Sequence, residues 1–244
     1  MRVQDRTFII TGGSSGLGLA TARELHIHGG YIAILDMNTE AGEEAVKELG
    51  SDRAQFFEVD VTDTDSIATA VKGSADWAKE TGKQIGGIVS AAGVGNPGKI
   101  IDRHNEPLSM SSIDFVLNIN LRGTLDFVRQ CLPYMTKVEP EGADGERGVI
   151  ILVSSSAAYD GQPGQVSYAA SKGAVRSMTL PMARDLAPYG IRVVRKSLER
   201  VMEFPKRAGK AEEFGQLVRS SIENMMLNGV TIRLDGAMRM PSRL

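Results

Sequence analysis

The amino-acid sequence predicts an α/β fold, a doubly wound parallel sheet in a single domain. Short apolar runs alternate with segments of helical spacing, and a glycine-rich turn joins the first run to the first helix. Buried strands that are separated by helices run parallel and are covered on both faces of the sheet. A chain of 244 residues is long enough to bury such a sheet in one core.

The predicted elements follow one another in regular alternation. The first strand, Phe8–Ile10, ends in TGGSSGLG, and the helical spacing after it stops at Gly29. Further strands are predicted at 31–35, 55–59, 87–90, 149–154 and 191–194, and further helices at 41–49, 66–80, 112–135 and 165–186. Two excursions, 93–112 and 137–148, are rich in Gly, Pro and charge. The first leaves the carboxyl end of a strand, where ligands usually bind.

Composition narrows the partners and the compartment. Lys and Arg total 28 and Asp and Glu total 30, so no overall field attracts nucleic acid or an anionic membrane. We therefore expect a small-molecule partner, and no nucleic acid, membrane or metal. The single cysteine, Cys131, excludes an intramolecular disulfide and predicts a reducing compartment. Neither a targeting peptide nor a membrane span is evident, so we expect a cytoplasmic protein, with the mitochondrial or peroxisomal matrix left open.

The glycine-rich turn predicts a dinucleotide site. Gly12, Gly16 and Gly18 stand where missing Cβ atoms let the backbone approach a pyrophosphate at a helix N-terminus. Asp36 closes the second strand, where its carboxylate can accept hydrogen bonds from the adenosine ribose. Because this carboxylate would repel the extra phosphate of NADP and no Arg or Lys adjoins it, we expect NAD. The alternative is a solvated Asp at a strand end.

Tyr168 and Lys172 are the candidate catalytic pair. They stand four residues apart in SYAASK, so a helix places both side chains on one face. Tyrosine is a poor base at neutral pH, and a nearby ammonium together with the positive nicotinamide ring would favour its phenolate. Taken alone, such a pair is more often an exposed pair on a helix.

These segments together resemble the classical short-chain dehydrogenase/reductase family. The resemblance spans nearly the whole chain and rests on TGGSSGLG, VDVTD, SAAG, NIN and YAASK in this order. It implies a single Rossmann-fold domain that moves a hydride between NAD and a secondary alcohol or its ketone. It also implies the site residues: catalytic Asn120, Ser155, Tyr168 and Lys172; cofactor-binding Gly12, Ser15, Gly16, Leu17, Gly18, Asp36, Asp60, Val61, Ala91, Gly93, Tyr168 and Lys172; and substrate-binding Ser155, Gln165 and Tyr168.

The resemblance assigns each catalytic residue a role. Ser155 hydrogen-bonds the substrate oxygen, and Tyr168 exchanges the proton of that oxygen. Lys172 positions the ribose and favours the tyrosine phenolate, and Asn120 supports a water-linked proton path.

Two of these assignments have alternatives. Ser155 is chosen over Ser154 and Ser156 because its separation from Tyr168 matches the family interval, although any of the three serines could cap the turn after the strand. Asp60 resembles a residue that contacts the adenine, but an Asp here could equally cap the turn before the next helix.

Within the family, segments 156–194 and 228–240 and both excursions most resemble the branch of 3-hydroxyacyl-CoA dehydrogenases. This resemblance implies oxidation of a 3-hydroxyacyl-CoA thioester to the 3-ketoacyl-CoA, a place in fatty acid metabolism, and a homotetramer. A hydroxysteroid or another short-chain alcohol is the alternative substrate, because fold analogy does not decide between them.

The chain departs from the family immediately after IRVV. A family member continues through a Pro-Gly turn and a Thr-Pro step that contact the nicotinamide, and then a substrate lid, whereas here Arg195–Val201 follows at once. About fifteen to twenty residues, the size of a mobile lid, are therefore missing at the 194/195 junction. Either the protein lacks its lid, or a disordered segment was left out and the numbering closed over it, which we favour.

The basic stretch 195–210 beside this junction is interpreted as the solvated face of a helix, with attraction of coenzyme A phosphates as the alternative. The missing lid is the main support for a second class of function, a catalytically silent cofactor-binding scaffold. The intact Ser155, Tyr168 and Lys172 argue against that class. A third class, nucleic-acid binding, finds no basic stripe or aromatic platform.

Overall fold

The structure is a computed structural model that describes residues 1–198, 205 and 207–237. Its strands are β1 (Thr7–Thr11), β2 (Tyr31–Asp36), β3 (Ala54–Glu58), β4 (Ile85–Ser90), β5 (Gly148–Val153), β6 (Ile191–Leu198) and β7 (Val230–Leu234). Its helices are α1 (Gly16–Ile27), α2 (Thr39–Leu49), α3 (Thr64–Glu80), α4 (Met110–Leu117), α5 (Thr124–Met135), α6 (Val166–Leu186) and α7 (Ala211–Glu223). The strands pair in parallel in the order β3-β2-β1-β4-β5-β6-β7, which confirms the predicted doubly wound sheet.

The core lies on both faces of this sheet. Every residue of β1 and β5 is buried, as expected for strands covered on both sides. One face packs against α1, α2 and α7, where Leu25 and Phe214 are fully buried. The other face packs against α3, α5 and α6, where Ile67 and Phe127 are buried. This two-sided burial leaves only the strand ends free to carry a site.

The strand order reverses between β1 and β4. The chain moves outward from β1 to β2 and β3, and then returns to place β4 on the other side of β1. In open α/β sheets, ligands bind at such a reversal, in the crevice outside the carboxyl ends of the strands. The glycine-rich turn follows β1, and the segment that contains Gly93 follows β4, so both border this crevice.

The predicted helix 112–135 is interrupted. Between α4 and α5, Asn118–Gly123 form a π-helical segment, which adds a residue to the helical ladder. The hydrophobic periodicity does not reveal this segment, because both flanking helices keep apolar residues toward the core. The π-helical segment includes Asn120, one of the predicted catalytic residues.

The last predicted strand ends too early in the sequence-based interpretation. β6 runs through the 194/195 junction to Leu198, and Arg195 and Lys196 pair with Leu152 and Val153 of β5. Both side chains are fully buried, so the interpretation of these two residues as a solvated helical face is wrong. Hydrogen bonds to β5 and β7 hold this part of the chain in strand conformation despite its charge. Residues 199–204 and 206, on which part of that interpretation falls, lie outside the described residues.

No helix in the described ranges combines the length and the apolar character that crossing a membrane requires.

Candidate active site

The glycine-rich turn has the geometry of a phosphate cradle. Gly12 has a positive φ of 64°, and a Cβ there would lie 2.8 Å from the backbone nitrogen of Ala92. A Cβ on Gly18 would overlap the carbonyl oxygen of Gly12, so α1 approaches the turn as closely as its backbone allows. A Cβ on Gly16 would meet open space. The turn is therefore compressed on its protein side and open on the side where a phosphate group would approach.

The helix that follows the turn presents its N-terminus to this open side. Ser15 is the N-cap of α1, is exposed, and makes no capping hydrogen bond with its side chain. Leu17 is half-buried and packs against the core cluster on the α1 face. Backbone N–H groups in the first turn of a helix are available to an anionic ligand.

Asp36 lies against the same turn. Its carboxylate accepts hydrogen bonds from the backbone nitrogens of Ser14 and Asn38, each at 3.2 Å. The side chain is half-buried at the end of β2 and forms no ion pair with any residue that the structure describes. Four lone-pair positions exceed these two donors, so the carboxylate can still accept from a ligand hydroxyl.

Asp60, Val61 and Ala91 border the crevice from β3 and β4. The Asp60 carboxylate accepts hydrogen bonds from the backbone and the hydroxyl of Thr62, so it does cap the turn after β3. The N-cap of α3 is a different residue, Asp63. Val61 and Ala91 are half-buried, and the Ala91 nitrogen donates to the Thr11 carbonyl, which ties the end of β4 to β1.

Lys172, Asn120 and Gly93 meet in one buried cluster. A Cβ on Gly93 would lie 3.1 Å from Asn120 Oδ1 and 3.2 Å from Lys172 Nζ, so only glycine fits between them without displacing either group. Asn120 is fully buried; its Oδ1 accepts from the Val94 nitrogen, and its Nδ2 donates to the Val94 carbonyl and to Ser171 Oγ. The loop after β4, the π-helical segment and α6 are therefore joined at this cluster.

Tyr168 adjoins this cluster on α6. Lys172 Nζ lies 5.9 Å from the centroid of the Tyr168 ring and donates to the Val153 carbonyl at 3.2 Å. The Tyr168 side chain is half-buried, and within the described residues its hydroxyl makes no hydrogen bond. That hydroxyl is thus available to a ligand. Burial lowers the pKa of Lys172 to about 8, and the positive charge of Arg195 adds to the lowering.

The three serines after β5 have different environments. Ser154 is buried and its hydroxyl donates to the Lys172 carbonyl, whereas Ser156 Oγ is buried without a partner in the described structure. Ser155 is half-buried, and its Oγ accepts from the Ala157 nitrogen at 3.1 Å, which leaves its O–H free to donate. No hydrogen bond within the described residues joins Ser155 to Tyr168. Gln165, the N-cap of α6, accepts from the Gln162 nitrogen through Oε1.

Comparison with known proteins decides the family. A family model described as short chain dehydrogenase matches residues 6–197. The chain belongs to the short-chain dehydrogenase family. It is 38% identical to the 3-hydroxyacyl-CoA dehydrogenase type-2 of Drosophila melanogaster over 98% of this chain and 99% of that protein. Identity to the protein of the same name from Bos taurus is 39% over 95% and 94%.

A solved structure shows the same agreement. The crystal structure of 3-hydroxyacyl-CoA dehydrogenase type-2 from Mycobacterium avium matches this short-chain dehydrogenase with a TM-score of 0.91 at 32% identity, over 99% of both chains. The alignment with the Drosophila protein spans 259 positions, whereas 98% of this chain is only about 239 residues. About twenty aligned positions therefore have no residue of this chain opposite them.

Sequence reasoning missed two parts of this short-chain dehydrogenase site. Ser171 links Asn120 to the Tyr168 carbonyl, and nothing in the sequence distinguishes it from its neighbours. Arg195 donates to the Ser155 carbonyl and to the Tyr159 hydroxyl, both at 3.1 Å. A signal for Arg195 was present, because an arginine that directly continues the buried run IRVV must find its partners inside the protein.

Proposed function

We propose that this short-chain dehydrogenase oxidises the secondary alcohol of a 3-hydroxyacyl-CoA to the ketone, with NAD as the hydride acceptor. The observation that carries the proposal is the cluster of Lys172, Asn120 and Gly93 with the unbonded Tyr168 hydroxyl, beside the crevice where the strand order reverses. The names of the relatives support the substrate class. Hydroxysteroids and other short-chain alcohols are the alternative substrates.

The residues present fit a nicotinamide dinucleotide. The open space before Gly16 and the contact of α1 with Gly12 leave room for a pyrophosphate at the helix N-terminus, and the Asp36 carboxylate is placed to accept ribose hydroxyls. When bound, the nicotinamide supplies the acceptor for the hydride. The chain's own contribution is to orient the alcohol and to move its proton.

The proton leaves through Tyr168. In the proposed reaction, the Tyr168 oxygen takes the hydroxyl proton of the substrate as its carbinol C–H bond breaks and the C=O bond forms. The Ser155 hydroxyl donates a hydrogen bond to the developing oxyanion. The Lys172 ammonium favours the tyrosine form that accepts the proton, and Asn120 holds the loop after β4 against Lys172.

The test is a substrate panel. Purified protein is incubated with NAD and either a 3-hydroxyacyl-CoA series, a hydroxysteroid or a simple secondary alcohol, and NADH absorbance is followed. Highest kcat/KM for the hydroxyacyl-CoA series supports the proposal, and highest kcat/KM for either other class contradicts the substrate assignment. NAD binding without turnover of any substrate would instead favour the silent scaffold, which the twenty unmatched alignment positions make the second candidate. We propose that these positions fall after Val194, where contacts to the nicotinamide and a lid would otherwise stand.

Asp36 is expected to set the preference for NAD over NADP. Asp36→Ala should weaken NAD binding by about tenfold to a hundredfold, because charge-assisted hydrogen bonds to the ribose contribute about 1.5–3 kcal/mol. Binding of NADP should weaken less, so the preference narrows. Titration of both cofactors by protein fluorescence measures the effect, with Asp185→Ala, at an exposed position on α6, as the control. Equal or tighter NADP binding by the unmodified protein would contradict the assignment.

A homotetramer is expected, because related enzymes bury the helices equivalent to those carrying Asn120 and Tyr168 against partner subunits. On these elements Phe115, Leu125 and Leu180 are large apolar side chains exposed by 49%, 42% and 46%. Light scattering should give the tetramer mass, and Leu125→Lys with Leu180→Lys should reduce it. Ile27→Lys, at an equally exposed position on α1, should leave the mass unchanged. A concentration-independent monomer for the unmodified chain would exclude this assembly.

A further inference from the structure

Arg195 is a buried cation at the carboxyl end of β6. It is fully buried, yet none of its hydrogen-bond partners is a carboxylate: its guanidinium donates to the Tyr159 hydroxyl, the Thr231 hydroxyl and the Ser155 carbonyl at 3.1, 3.3 and 3.1 Å. Its Nε is buried without a partner in the described part of the chain. Burial lowers the pKa of Arg195, and the nearby charges of Arg176 and Arg233 lower it further. A cation held at this cost needs an explanation beyond stability.

The three partners of Arg195 come from different elements around the site. Ser155 ends the segment after β5, Tyr159 follows it by one short helical turn, and Thr231 lies on β7. A planar guanidinium with fixed donor directions holds these three elements in one relative position. The Ser155 backbone is thereby fixed from β6, while its side chain stays free toward the crevice.

The Tyr159 ring seals Arg195 from solvent. The guanidinium carbons of Arg195, Arg176 and Arg233 lie 5.3, 4.4 and 4.7 Å from the ring centroid. Arg233 is ion-paired to Asp160 and Asp235, whereas Arg176 and Arg195 have no ion pair among the described residues. Although burial alone would raise it, the pKa of Tyr159 is lowered because Arg195 and Arg176 donate to its oxygen.

Lys172 lies within reach of the Arg195 charge. Around Lys172 Nζ stand the Val153 carbonyl from β5, Asn120 from the π-helical segment, the Gly93 backbone and, on the same helix, Tyr168. No carboxylate forms an ion pair with Lys172 in the described structure. Arg195 is therefore the charged group that acts on the Lys172 ammonium, and its effect is repulsive.

We propose that Arg195 is a positioning residue of this site: it fixes the Ser155 turn through its hydrogen bonds and tunes the working pH range through its charge beside Lys172. This inference rests on the proposed function for the roles of Ser155 and Lys172. Because the proposed reaction needs the Lys172 ammonium, activity falls as pH rises through the pKa of Lys172, about 8. Removing the Arg195 charge raises this pKa, so the alkaline limit of activity moves to higher pH.

The decisive experiment measures Lys172 directly. Protein labelled with [ε-13C]lysine is titrated by NMR, with the Lys172 resonance assigned by its loss in Lys172→Met. In the unmodified protein the resonance should titrate near pH 8, and in Arg195→Met its midpoint should move to higher pH. Arg195→Lys keeps the charge and should leave the midpoint unchanged. An unchanged midpoint in folded Arg195→Met would overturn the proposal.

The matched control is Arg192→Met. Arg192 is a buried arginine on the same strand, but it binds Glu146 and carbonyls at the end of α7, so its loss should destabilise the fold without moving the Lys172 midpoint. Should Arg195→Met fail to fold, Arg195→Gln removes the charge and keeps a donor for the Ser155 carbonyl. The same two outcomes of the titration then decide.

Turnover gives the second readout. Arg195→Lys should lower kcat by about tenfold to a hundredfold, because a misplacement of about 1 Å at the reacting groups costs that much, and it should keep the pH profile. Arg195→Gln should show the reverse pattern, a smaller loss of kcat with the alkaline limit at higher pH. If the unmodified protein has no dehydrogenase activity, the proposed function fails, while the NMR titration still tests Arg195. A kcat for Arg195→Lys equal to that of the unmodified enzyme would refute the positioning role.

Discussion

Tyr168→Phe is expected to lose nearly all turnover while NAD still binds. The substitution removes only the hydroxyl, which is free for a ligand and is the proposed acceptor of the substrate proton. Proton transfer by a positioned side chain contributes about 10²- to 10⁴-fold, so the loss should fall on kcat. Steady-state kinetics and a cofactor titration on the same preparation measure both quantities.

Lys172→Met is the informative comparison for that variant. Its ammonium lies between the Tyr168 ring and the Val153 carbonyl, so its loss should weaken cofactor binding as well as turnover. Thr179→Val, a buried substitution further along α6, controls for a general disturbance of the helix. Near-normal turnover by Tyr168→Phe would show that another group takes the proton.

Lys196→Met is expected to stabilise the protein strongly near neutral pH. Lys196 is fully buried on the sheet face that also carries Val194, and within the described residues its Nζ has no partner. Burial lowers its pKa from 10.5 to about 7. A lysine with an ordinary pKa when unfolded must give up its proton on folding, and at pH 7 a shift of this size costs about 4 kcal/mol.

The sign of the pH dependence follows from proton counting. Between pH 7 and 10.5 the unfolded chain holds a proton on Lys196 that the folded chain lacks, so the free energy of unfolding rises with pH in the unmodified protein. Lys196→Met should remove this rise. Urea unfolding at a series of pH values measures it, with the exposed Lys79→Met as the control, which should change stability by no more than about 0.5 kcal/mol. A constant difference between the two proteins from pH 7 to 10 would contradict the buried, neutral state of Lys196.

Hydrophobic patterning predicted most of the fold because the strands and helices of this protein bury the faces that the pattern indicates. The run Phe8–Ile10 and the glycine turn after it lie where the alternation places them, and the parallel sheet is confirmed. Patterning failed at β6 because Arg195 and Lys196 carry charges that usually mark exposed residues. Strand pairing on both sides outweighed that preference. The helix and strand after residue 210 were left unassigned, because the suspected break in the chain obscured where the alternation resumes.

The site shows the same division. The spacing of Tyr168 and Lys172 correctly indicates side chains on one helix face, since four residues make one helical turn. The position of Asn120 beside Lys172 depends on contacts between residues far apart in the sequence, which spacing cannot give. The resemblance to the family supplied that residue, and the structure supplies its hydrogen bonds. The catalytic and binding roles stay predictions until the variants are measured.

The π-helical segment between α4 and α5 has a consequence for how this chain tolerates insertions and deletions. One surplus residue in a helix rotates everything after it by about 100° relative to an uninterrupted α-helix. The bonds from Thr124 to Ser90 and from Asp126 to Thr64 are therefore made in the rotated register. Loss of one residue from 118–123 would turn these side chains away from their partners without changing either helix sequence. The segment acts as a phase shifter, and the helix on its far side is correctly oriented only while the extra residue remains.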